Sequence, residues 1–293
     1  MLAPITVSSC LDQATRALQQ SQMTGSPRLD SELLLGHVLE MDRTQLYCRS
    51  FDKVATLELN RFQELVDLRA LGTPIAYLLG KRDFFSRTFV VNSAVLIPRP
   101  ETEVLVEESL KILDRSGLTR PRVLDIGTGS GCIAVSLALE LEGALVRASD
   151  VSSEALQVAQ ENAQRLGAER LIKFFQSDLF DQFEELGVRR GFDLIVSNPP
   201  YVATDCGPRP DANVVRYEPA AALWSGRDGL DHIRRLVSQA PDWLNPGASL
   251  VLEMASFQVE GVEALMQQRG FEATSIIPDL SGLPRVVVGR WES

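Results

Sequence analysis

The chain has 293 residues, and 29 Lys and Arg against 39 Asp and Glu give it a formal net charge of −10 at pH 7. Its 45% hydrophobic and 23% charged residues are typical of a globular protein and argue against a disordered chain. The length accommodates one large or two modest domains. The acidic balance disfavours a broad phosphate-binding surface, since nucleic-acid-binding proteins usually carry a basic face.

The number and spacing of cysteines and histidines limit the kinds of metal and redox site that the chain can form and indicate its cellular compartment. No Cys-x-x-Cys pair occurs, which excludes a zinc ribbon or a thioredoxin motif and favours reduced thiols. With only two histidines, His37 and His232, we expect no metal site, and we interpret both as structural. The N-terminus has no signal-peptide pattern, and no apolar run approaches the about 18 residues of a membrane span. We therefore expect a cytoplasmic protein that does not contact a membrane.

The first part of the chain, residues 1–75, is predicted to be helical because its apolar residues recur at helical spacing. Ser26 and Pro27 are typical of a helix start, and Gly72 to Pro74 of a helix stop. The predicted helices are Leu11 to Gln22, Asp30 to Leu39 and Leu57 to Leu71.

The segment that follows has a different character. Phe84 to Val91 is aromatic and β-branched, and Asn92 and Ser93 follow it as a turn. This pattern predicts a short hairpin between two domains. Two prolines exclude a helix at the start of Leu96 to Glu103, and a helix is predicted from about Glu103 to Asp114.

From Pro121 onward, short apolar strands alternate with amphipathic helices. This alternation predicts an α/β domain with a mainly parallel sheet covered on both faces. Ligands of such sheets bind at the carboxyl ends of the strands. The predicted strands are Arg122–Ile126, Ala144–Ala148, Leu171–Gln176, Phe192–Ser197, Ser249–Met254, Ala273–Ile277 and Arg285–Gly289.

A glycine-rich loop joins the first predicted strand to a helix. Glycines there permit positive φ and allow backbone N–H groups to approach a ligand closely. Nicotinamide, flavin and adenosylmethionine folds all use such loops, and a tight turn without a ligand is the alternative. The loop consists of Gly127, Thr128, Gly129, Ser130 and Gly131.

Two carboxylates follow the next strands. Asp150 ends the second strand, 19 residues beyond Gly131, where an acid can accept both ribose hydroxyls of a cofactor. Asp178 ends the third strand, where it can accept from an adenine amino group, with Leu179 beside it. As alternatives, Asp150 is a helix N-cap and Asp178 a turn residue.

The fourth strand ends in Asn198, Pro199, Pro200 and Tyr201. The prolines enforce an extended backbone without N–H donors. The Asn198 side-chain carbonyl and the Pro199 backbone carbonyl can together accept the two N–H bonds of a planar amino group. Tyr201 offers a flat face on which a planar amide or base can stack. The alternative is a rigid loop with a chance aromatic residue.

Together, the glycine loop and the Asn198 to Tyr201 motif resemble the class I S-adenosylmethionine-dependent methyltransferases that modify planar nitrogens. Further stretches make the chain similar to the peptide chain release factor glutamine methyltransferase family from about Arg28 to Arg290. The most discriminating of them contains Arg99, Pro100, Glu101, Thr102 and Glu103. These stretches are Gly72 to Gly80, Leu96 to Glu103, Glu218 to Leu223, Gly226 to Leu230 and Asp279 to Val286.

The resemblance implies an N-terminal helical substrate-recognition domain over 1–75, a hairpin linker over 76–95 and a seven-stranded methyltransferase domain over 96–293, with the last strand antiparallel. It implies that the substrate is the glutamine of the Gly-Gly-Gln motif of release factors, methylated by a protein that acts as a monomer.

By position, the resemblance assigns site residues as well. Gly127 to Gly131, Asp150, Asp178, Leu179 and Asn198 would bind S-adenosylmethionine. Asn198 to Tyr201 would hold the glutamine amide, with Asn198, Pro199 and Tyr201 catalytic. No metal is implied.

Some stretches depart from the family pattern. Leu179 stands where some relatives have an aromatic residue beside adenine. The loop Asp205 to Val214 and the stretch Glu253 to Gln258 are also less typical, and the loop is expected to be mobile. Glu101, Glu103 and Glu218 are candidates for shaping the pocket, although carboxylates in such loops more often form caps or ion pairs.

Rival functions share parts of these motifs. An adenine methyltransferase of nucleic acid uses the same Asn-Pro-Pro-Tyr chemistry but needs a basic channel or a target-recognition domain. Residues 1–120 carry a net charge of −1 and residues 121–293 a net charge of −9, so neither part is built for nucleic acid. Two further functions stay open, namely glutamine methylation of a ribosomal protein and cofactor binding by a regulator without catalysis.

Overall fold

A computed structural model describes residues 5–292. The chain divides into two compact units, Met1–Gly80 and Lys81–Ser293, so the hairpin belongs to the second unit. Within residues 5–292, none of the helices combines the length and the apolar character that crossing a bilayer requires. The same residues contain no group of three or more His, Cys, Asp or Glu side chains that could hold a metal ion.

The first unit is helical, as predicted. An ion pair of 2.7 Å between Asp30 and Arg69, both largely buried, links its second and fourth helices. The first helix begins at Val7 rather than Leu11, because Thr6 and Ser9 form a capping box that stabilises the earlier start. The helices are α1 (Val7–Ser21), α2 (Pro27–Leu39), α3 (Arg43–Cys48), α4 (Thr56–Ala70) and α5 (Ile75–Leu79).

The second unit is the predicted α/β domain. Its helices are α6 (Thr102–Ser116), α7 (Cys132–Glu140), α8 (Ser153–Arg165), α9 (Ala212–Tyr217), α10 (Asp231–Gln239) and α11 (Val259–Arg269). Its strands are β1 (Lys81–Phe84), β2 (Arg87–Val90), β3 (Arg122–Ile126), β4 (Leu145–Asp150), β5 (Ile172–Gln176), β6 (Phe192–Ser197), β7 (Leu244–Glu253), β8 (Glu272–Pro278) and β9 (Pro284–Trp291).

Seven strands form one sheet in the order β5-β4-β3-β6-β7-β9-β8. The strands from β5 to β7 pair in parallel, whereas β9 runs antiparallel to both β7 and β8. The predicted seven-stranded sheet with an antiparallel last strand is therefore confirmed. The strand order reverses between β4 and β6, on either side of β3, and open α/β sheets bind ligands at such a point.

Alternate residues of the central strand β3 face the two hydrophobic layers of this unit. Val123 packs in a cluster with side chains of α6 and α7. Leu124 and Ile126 pack on the opposite face, in a cluster with side chains of α10 and α11. Since β3 is covered on both faces, its near-continuous apolar sequence is that of a buried parallel strand.

The hairpin departs from its predicted position. The two strands of the hairpin are Lys81–Phe84 and Arg87–Val90, joined by a turn at Phe85 and Ser86, which have φ values of 47° and 58°. Neither residue is of the Asn, Asp or Gly type that marks such turns, so the sequence did not indicate it. The Glu103 carboxylate accepts the Phe85 N–H at 2.9 Å, and Phe84 and Phe89 are fully buried. Tertiary contacts thus stabilise a turn that local preference disfavours.

Strand β7 begins at Leu244, before its predicted start at Ser249, although Pro246 and Gly247 are typical of a turn. The pairing of β6 with β7 shifts register between Phe192 and Leu194. Proline cannot donate to a strand ladder but is tolerated at such an irregularity. The turn-like residues therefore occupy a bulge inside the strand.

Asn162, which is fully buried in α8, fastens the hairpin to the glycine loop. Its side-chain oxygen accepts the Val90 N–H at 2.7 Å. Its side-chain nitrogen donates to the carbonyls of Val90 and Ser130, both at 2.9 Å. One amide thus satisfies three backbone groups and links three segments of the chain.

We expect Asn162→Ala to lower the free energy of unfolding of the second unit by about 2–4 kcal/mol, because it leaves buried backbone groups without partners. Urea unfolding followed by tryptophan fluorescence measures this, since Trp224, Trp243 and Trp291 all lie in the second unit. Gln164→Ala, at an exposed position of the same helix, is the control and should be nearly neutral. Equal stability of the two variants would contradict the fastening role.

Candidate active site

The glycine loop turns sharply between β3 and α7. Gly127, Gly129 and Gly131 have φ values of 71°, 55° and 79°, a region that other residues rarely adopt. The N–H groups of Gly127 and Thr128 donate to the Ser149 carbonyl, at 2.8 and 2.9 Å. These bonds hold the loop against the carboxyl end of β4.

Asp150, at the carboxyl end of β4, lies directly against this loop. One of its carboxylate oxygens accepts the Gly129 N–H and the other the Ser152 N–H, both at 2.9 Å. Burial raises the pKa of Asp150, while backbone hydrogen bonds from Ser152 and Gly129 oppose the rise. Each carboxylate oxygen can accept more than one hydrogen bond, so Asp150 keeps acceptor capacity for a ligand.

Asp125, a residue outside the predicted site, stabilises the glycine loop through hydrogen bonds. It is fully buried in β3, and one of its oxygens accepts from the Thr128 hydroxyl at 2.6 Å and from the Ala134 N–H at 3.2 Å. Burial raises its pKa to about 7, although these two hydrogen bonds lower it. In the sequence, the only indication of this role is that Asp125 lies in the strand directly before the glycine loop.

The loop after β5 carries Asp178 and Leu179. The Arg235 guanidinium of α10 binds the Asp178 carboxylate through contacts of 3.1 Å. Leu179 is buried and has a φ of 52°, an unusual value for a leucine. Its side chain packs with Phe180 and Phe183, and this packing stabilises the strained backbone beside Asp178.

These segments enclose a cavity of about 230 Å³, which we call the first cavity. The residues predicted to bind the cofactor or the amide line it, with the exception of Gly131 and Tyr201. His232 of α10, predicted to be structural, lines it as well. The predicted residues in its wall are Gly127, Thr128, Gly129, Ser130, Asp150, Asp178, Leu179, Asn198, Pro199 and Pro200.

Gly131 does not line the first cavity but closes the loop behind it. It caps the N-terminus of α7, and its N–H donates to the Thr128 carbonyl at 2.8 Å. A Cβ atom at Gly131 would lie 3.0 Å from the Ala159 Cβ of α8. The glycine is therefore needed for helix packing as well as for its backbone conformation.

Asn198 follows β6 and presents an unpaired acceptor. Its side-chain nitrogen donates to the Thr102 hydroxyl at 3.2 Å, whereas its side-chain oxygen is buried without a partner among the described residues. Thr102 is itself buried, at the start of α6. Because the Asn198 nitrogen is the atom bonded to Thr102, the Asn198 oxygen points away from Thr102.

Tyr201 is anchored by Glu253. Its hydroxyl donates to Glu253 at 3.1 Å, and its backbone carbonyl accepts from the Gln258 side chain at 3.0 Å. Burial raises the pKa of Tyr201, and the Glu253 charge raises it further. Burial also raises the pKa of Glu253, against hydrogen bonds from Thr102 and Tyr201 and the charge of Arg285. The Tyr201 ring is therefore held in place at its hydroxyl end.

A second cavity, of about 390 Å³, lies beyond this motif. It is lined by Tyr201, by Phe257 and by residues of the loop before α9. Asn198 and Pro199 line both cavities. The two cavities thus share a wall at Asn198 and Pro199.

The segment before α6 is held by Glu218, a buried carboxylate. Glu218 accepts from the Arg99 guanidinium at 2.6 Å and from the Ile97 N–H at 3.1 Å. Glu103 accepts the Phe85 N–H, and Glu101 is exposed. Glu218 and Glu103 thus form an ion pair and hydrogen bonds to backbone N–H groups. Leu96 and Arg99, in the segment that Glu218 holds, line both cavities.

The loop predicted as mobile is attached at several points. Asp205 forms an ion pair of 2.6 Å with Arg227. The Phe257 ring packs on Gly207, where a Cβ atom would lie 2.5 Å from it. Further along the loop, Pro208 and Arg209 line the second cavity.

Thr102 and Glu253 are contacts of the candidate site to which sequence reasoning assigned no role there. Thr102 lies in the most discriminating motif, and Glu253 ends a strand beside that of Asn198. For Glu253, the sequence did contain one indication, namely its position at the end of a strand. For Thr102 and His232, no residue spacing indicated that their side chains reach the cavity.

Comparisons with known proteins place the chain among methyltransferases. The PrmC N-terminal domain family matches residues 9–80, and the methyltransferase small domain family matches residues 101–208. The release factor glutamine methyltransferase of Koribacter versatilis is 41% identical over 286 residues, 98% of this chain and 99% of that protein. That of Xylella fastidiosa strain 9a5c is 44% identical over 264 residues, 90% of this chain and 93% of that protein.

A solved structure agrees with the fold. The T. thermophilus 16S rRNA N2 G1207 methyltransferase, in complex with AdoMet and guanosine, matches with a TM-score of 0.53 at 21% identity. The match covers 72% of this chain and 50% of that chain. At this identity the likeness establishes the fold alone.

The raised pKa of Asp125 predicts a pH-dependent stability. The folded protein holds this proton up to about pH 7, whereas an unfolded chain releases it near about pH 4. The stabilisation is therefore present below about pH 4 and is lost as the pH rises to about 7, by about 4 kcal/mol in total. An amide at this position does not titrate, so Asp125→Asn should gain that stability relative to wild type as the pH rises.

Urea unfolding of wild type and Asp125→Asn, followed by tryptophan fluorescence between pH 4 and 8, measures this difference. Other carboxylates contribute equally to both proteins and cancel. A stability difference that stays constant with pH would show that Asp125 titrates normally.

Proposed function

The chain belongs to the release factor glutamine methyltransferase family, and we propose that it methylates the side-chain amide nitrogen of the glutamine in the Gly-Gly-Gln motif of peptide chain release factors, using S-adenosylmethionine. One observation carries the proposal. Asn198 and Pro199 line both cavities, so a methyl donor in the first cavity and an amide entering from the second meet at these residues.

The first cavity fits S-adenosylmethionine. Asp150, at the loop end of β4, retains acceptor sites for ribose hydroxyls, and Asp178 retains acceptor sites beyond those used by Arg235. The glycine loop allows close approach of the backbone between them. When bound, the cofactor supplies a methyl group on a positively charged sulfonium, which leaves as a neutral thioether.

Asn198 is proposed to hold the glutamine amide. An amide nitrogen is a poor nucleophile because its lone pair is delocalised into its carbonyl. The buried, unpaired Asn198 oxygen and the Pro199 carbonyl can accept its two N–H bonds, which orients the nitrogen and stabilises positive charge that grows on it. Holding the reacting groups in line contributes up to several kcal/mol.

Tyr201 is proposed to support the planar amide with its ring. Its hydroxyl is engaged with Glu253 and its raised pKa keeps it protonated, which suits a positioning role rather than proton abstraction. Thr102 and Glu253 lie behind Asn198 and Tyr201, and we assign them the role of holding these side chains in place.

The partner and the compartment complete the proposal. We propose that the helical unit Met1–Gly80 recognises the release factor and that the protein acts as a monomer in the cytoplasm, without binding nucleic acid directly. The four cysteines are free, which suits a reducing compartment. The net charge of −9 over residues 121–293 disfavours a nucleic-acid substrate.

The test of this function offers three substrates side by side. Purified protein with radiolabelled S-adenosylmethionine receives a release factor, a ribosomal protein or duplex DNA. We expect methylation of the release factor, at the glutamine of its Gly-Gly-Gln motif by mass spectrometry of peptides. Methylation of the ribosomal protein or of DNA alone would refute the proposed substrate.

We expect Asn198→Ala to lower the rate of methyl transfer at least about 100-fold, the loss found when one preorganised group at a reacting centre is removed. Cofactor affinity should change little, because the other contacts of the first cavity remain. A radiolabelled methyl assay and calorimetry with S-adenosylhomocysteine measure the two quantities.

Asn245→Ala provides the matched control for this variant. Asn245 also makes two side-chain hydrogen bonds, to Gly191 and Asp193, but lines neither cavity. This variant should transfer methyl groups at nearly the wild-type rate. Near-normal turnover of Asn198→Ala would exclude the role given to Asn198.

A further inference from the structure

His232 lies at the start of α10, in the wall of the first cavity, which Asp178 and Leu179 also line. Its side chain is partly exposed, although Ile233 beside it is fully buried. Arg235 is one helical turn further on and binds Asp178. One face of α10 therefore presents His232 next to the Asp178 carboxylate.

A hydrogen bond to Ser225 determines which nitrogen of His232 carries the proton. The Ser225 hydroxyl accepts the backbone N–H of His232 at 2.9 Å and lies 2.9 Å from the ring Nδ1. Ser225 is buried, buried hydroxyls are mostly paired, and among the described residues its proton has no acceptor other than Nδ1. The structure places Nδ1 within reach of that proton, so Nδ1 accepts and Nε2 carries the hydrogen in the neutral ring.

The charges around His232 favour this neutral form. Burial lowers its pKa, and the Arg235 guanidinium lowers it further, whereas Asp178 and Asp231 oppose this with smaller effects. At neutral pH the ring thus carries its N–H at Nε2, which has no hydrogen-bond partner among the described residues, and His232 lines the same cavity as Asp178.

This donor and acceptor match the edge of adenine. Adenine presents an amino group, which donates, flanked by ring nitrogens, which accept. Leu179 lines the same cavity, and its aliphatic side chain can make apolar contact with a base but no hydrogen bond. An additional polar contact would therefore strengthen base recognition.

We propose that His232 recognises the adenine of the cofactor, with its Nε2–H donating to a ring nitrogen that flanks the amino group, while Asp178 accepts from the amino group. This inference rests on the proposed function, since it requires S-adenosylmethionine in the first cavity. It assigns a specificity role to a side chain that no motif of the sequence contains.

Binding of S-adenosylhomocysteine to His232 variants, measured by calorimetry, tests the proposal. His232→Phe keeps a flat ring but removes the donor, and it should raise the Kd about tenfold, the loss expected for one hydrogen bond. His232→Gln keeps an N–H donor and should bind nearly as tightly as wild type. His37→Ala, which removes the other histidine at an exposed position of α2, should leave the Kd unchanged.

The outcomes separate this inference from the function. If wild type binds and His232→Phe binds equally tightly, the proposed hydrogen bond is refuted while the proposed function stands. If wild type does not bind S-adenosylhomocysteine, both are refuted. Unfolding midpoints by tryptophan fluorescence show whether each variant is folded.

A measurement on the wild-type chain also tests the proposed hydrogen bond, without any variant. In the spectrum of the ¹⁵N-labelled ring nitrogens, which contains only two histidines, His232 should have the signature of the Nε2–H neutral form. Addition of S-adenosylhomocysteine should shift its Nε2 resonance and leave that of His37 in place. An unchanged His232 resonance on saturation would overturn the proposal.

Discussion

Parallel pairing of β3 with β4 on one side and β6 on the other brings the ends of these strands to a common edge of the sheet, and the candidate site depends on it. Ile126 pairs with Ser149, so the glycine loop and Asp150 must meet. Asp125 pairs with Val196, so the motif that begins at Asn198 emerges beside the same loop. Segments separated by many residues in the chain thus lie side by side, because the direction and register of the paired strands determine where each strand ends.

Buried polar groups then stabilise the geometry at this edge. Asp125 supports the loop through Thr128, and Asn162 fastens it from α8. On the other side, buried Glu253 accepts a hydrogen bond from the Tyr201 hydroxyl. An unpaired buried acceptor costs about 1–3 kcal/mol, so the unpaired oxygen of Asn198 is a cost in the free protein that a bound amide can recover. The unpaired acceptor thus lowers the free energy of unfolding of the free protein and favours binding of an amide at the site.

Most residues that sequence reasoning selected for the site line the first cavity, because they follow strand ends or form local motifs. Gly127 and Asp150 are recognisable from spacing along the chain, and both line the first cavity. Asn162 and His232 are not, because helix residues reach a site only through the packing of that helix on the sheet. The Phe85 turn was missed for a related reason, since a long-range hydrogen bond from its backbone to Glu103 overrides its local preference.

The sequence by itself determined the helical first unit, the α/β class, the positions of the seven sheet strands to within a few residues and the family, because periodicity and contiguous motifs are local properties. Tertiary structure alone decided how the Asn198 amide is oriented through Thr102, which ring nitrogen of His232 contacts Ser225 and how Glu218 is paired with Arg99. Hydrogen bonds between residues distant in the chain determine these features. Such bonds depend on distances that no residue spacing encodes.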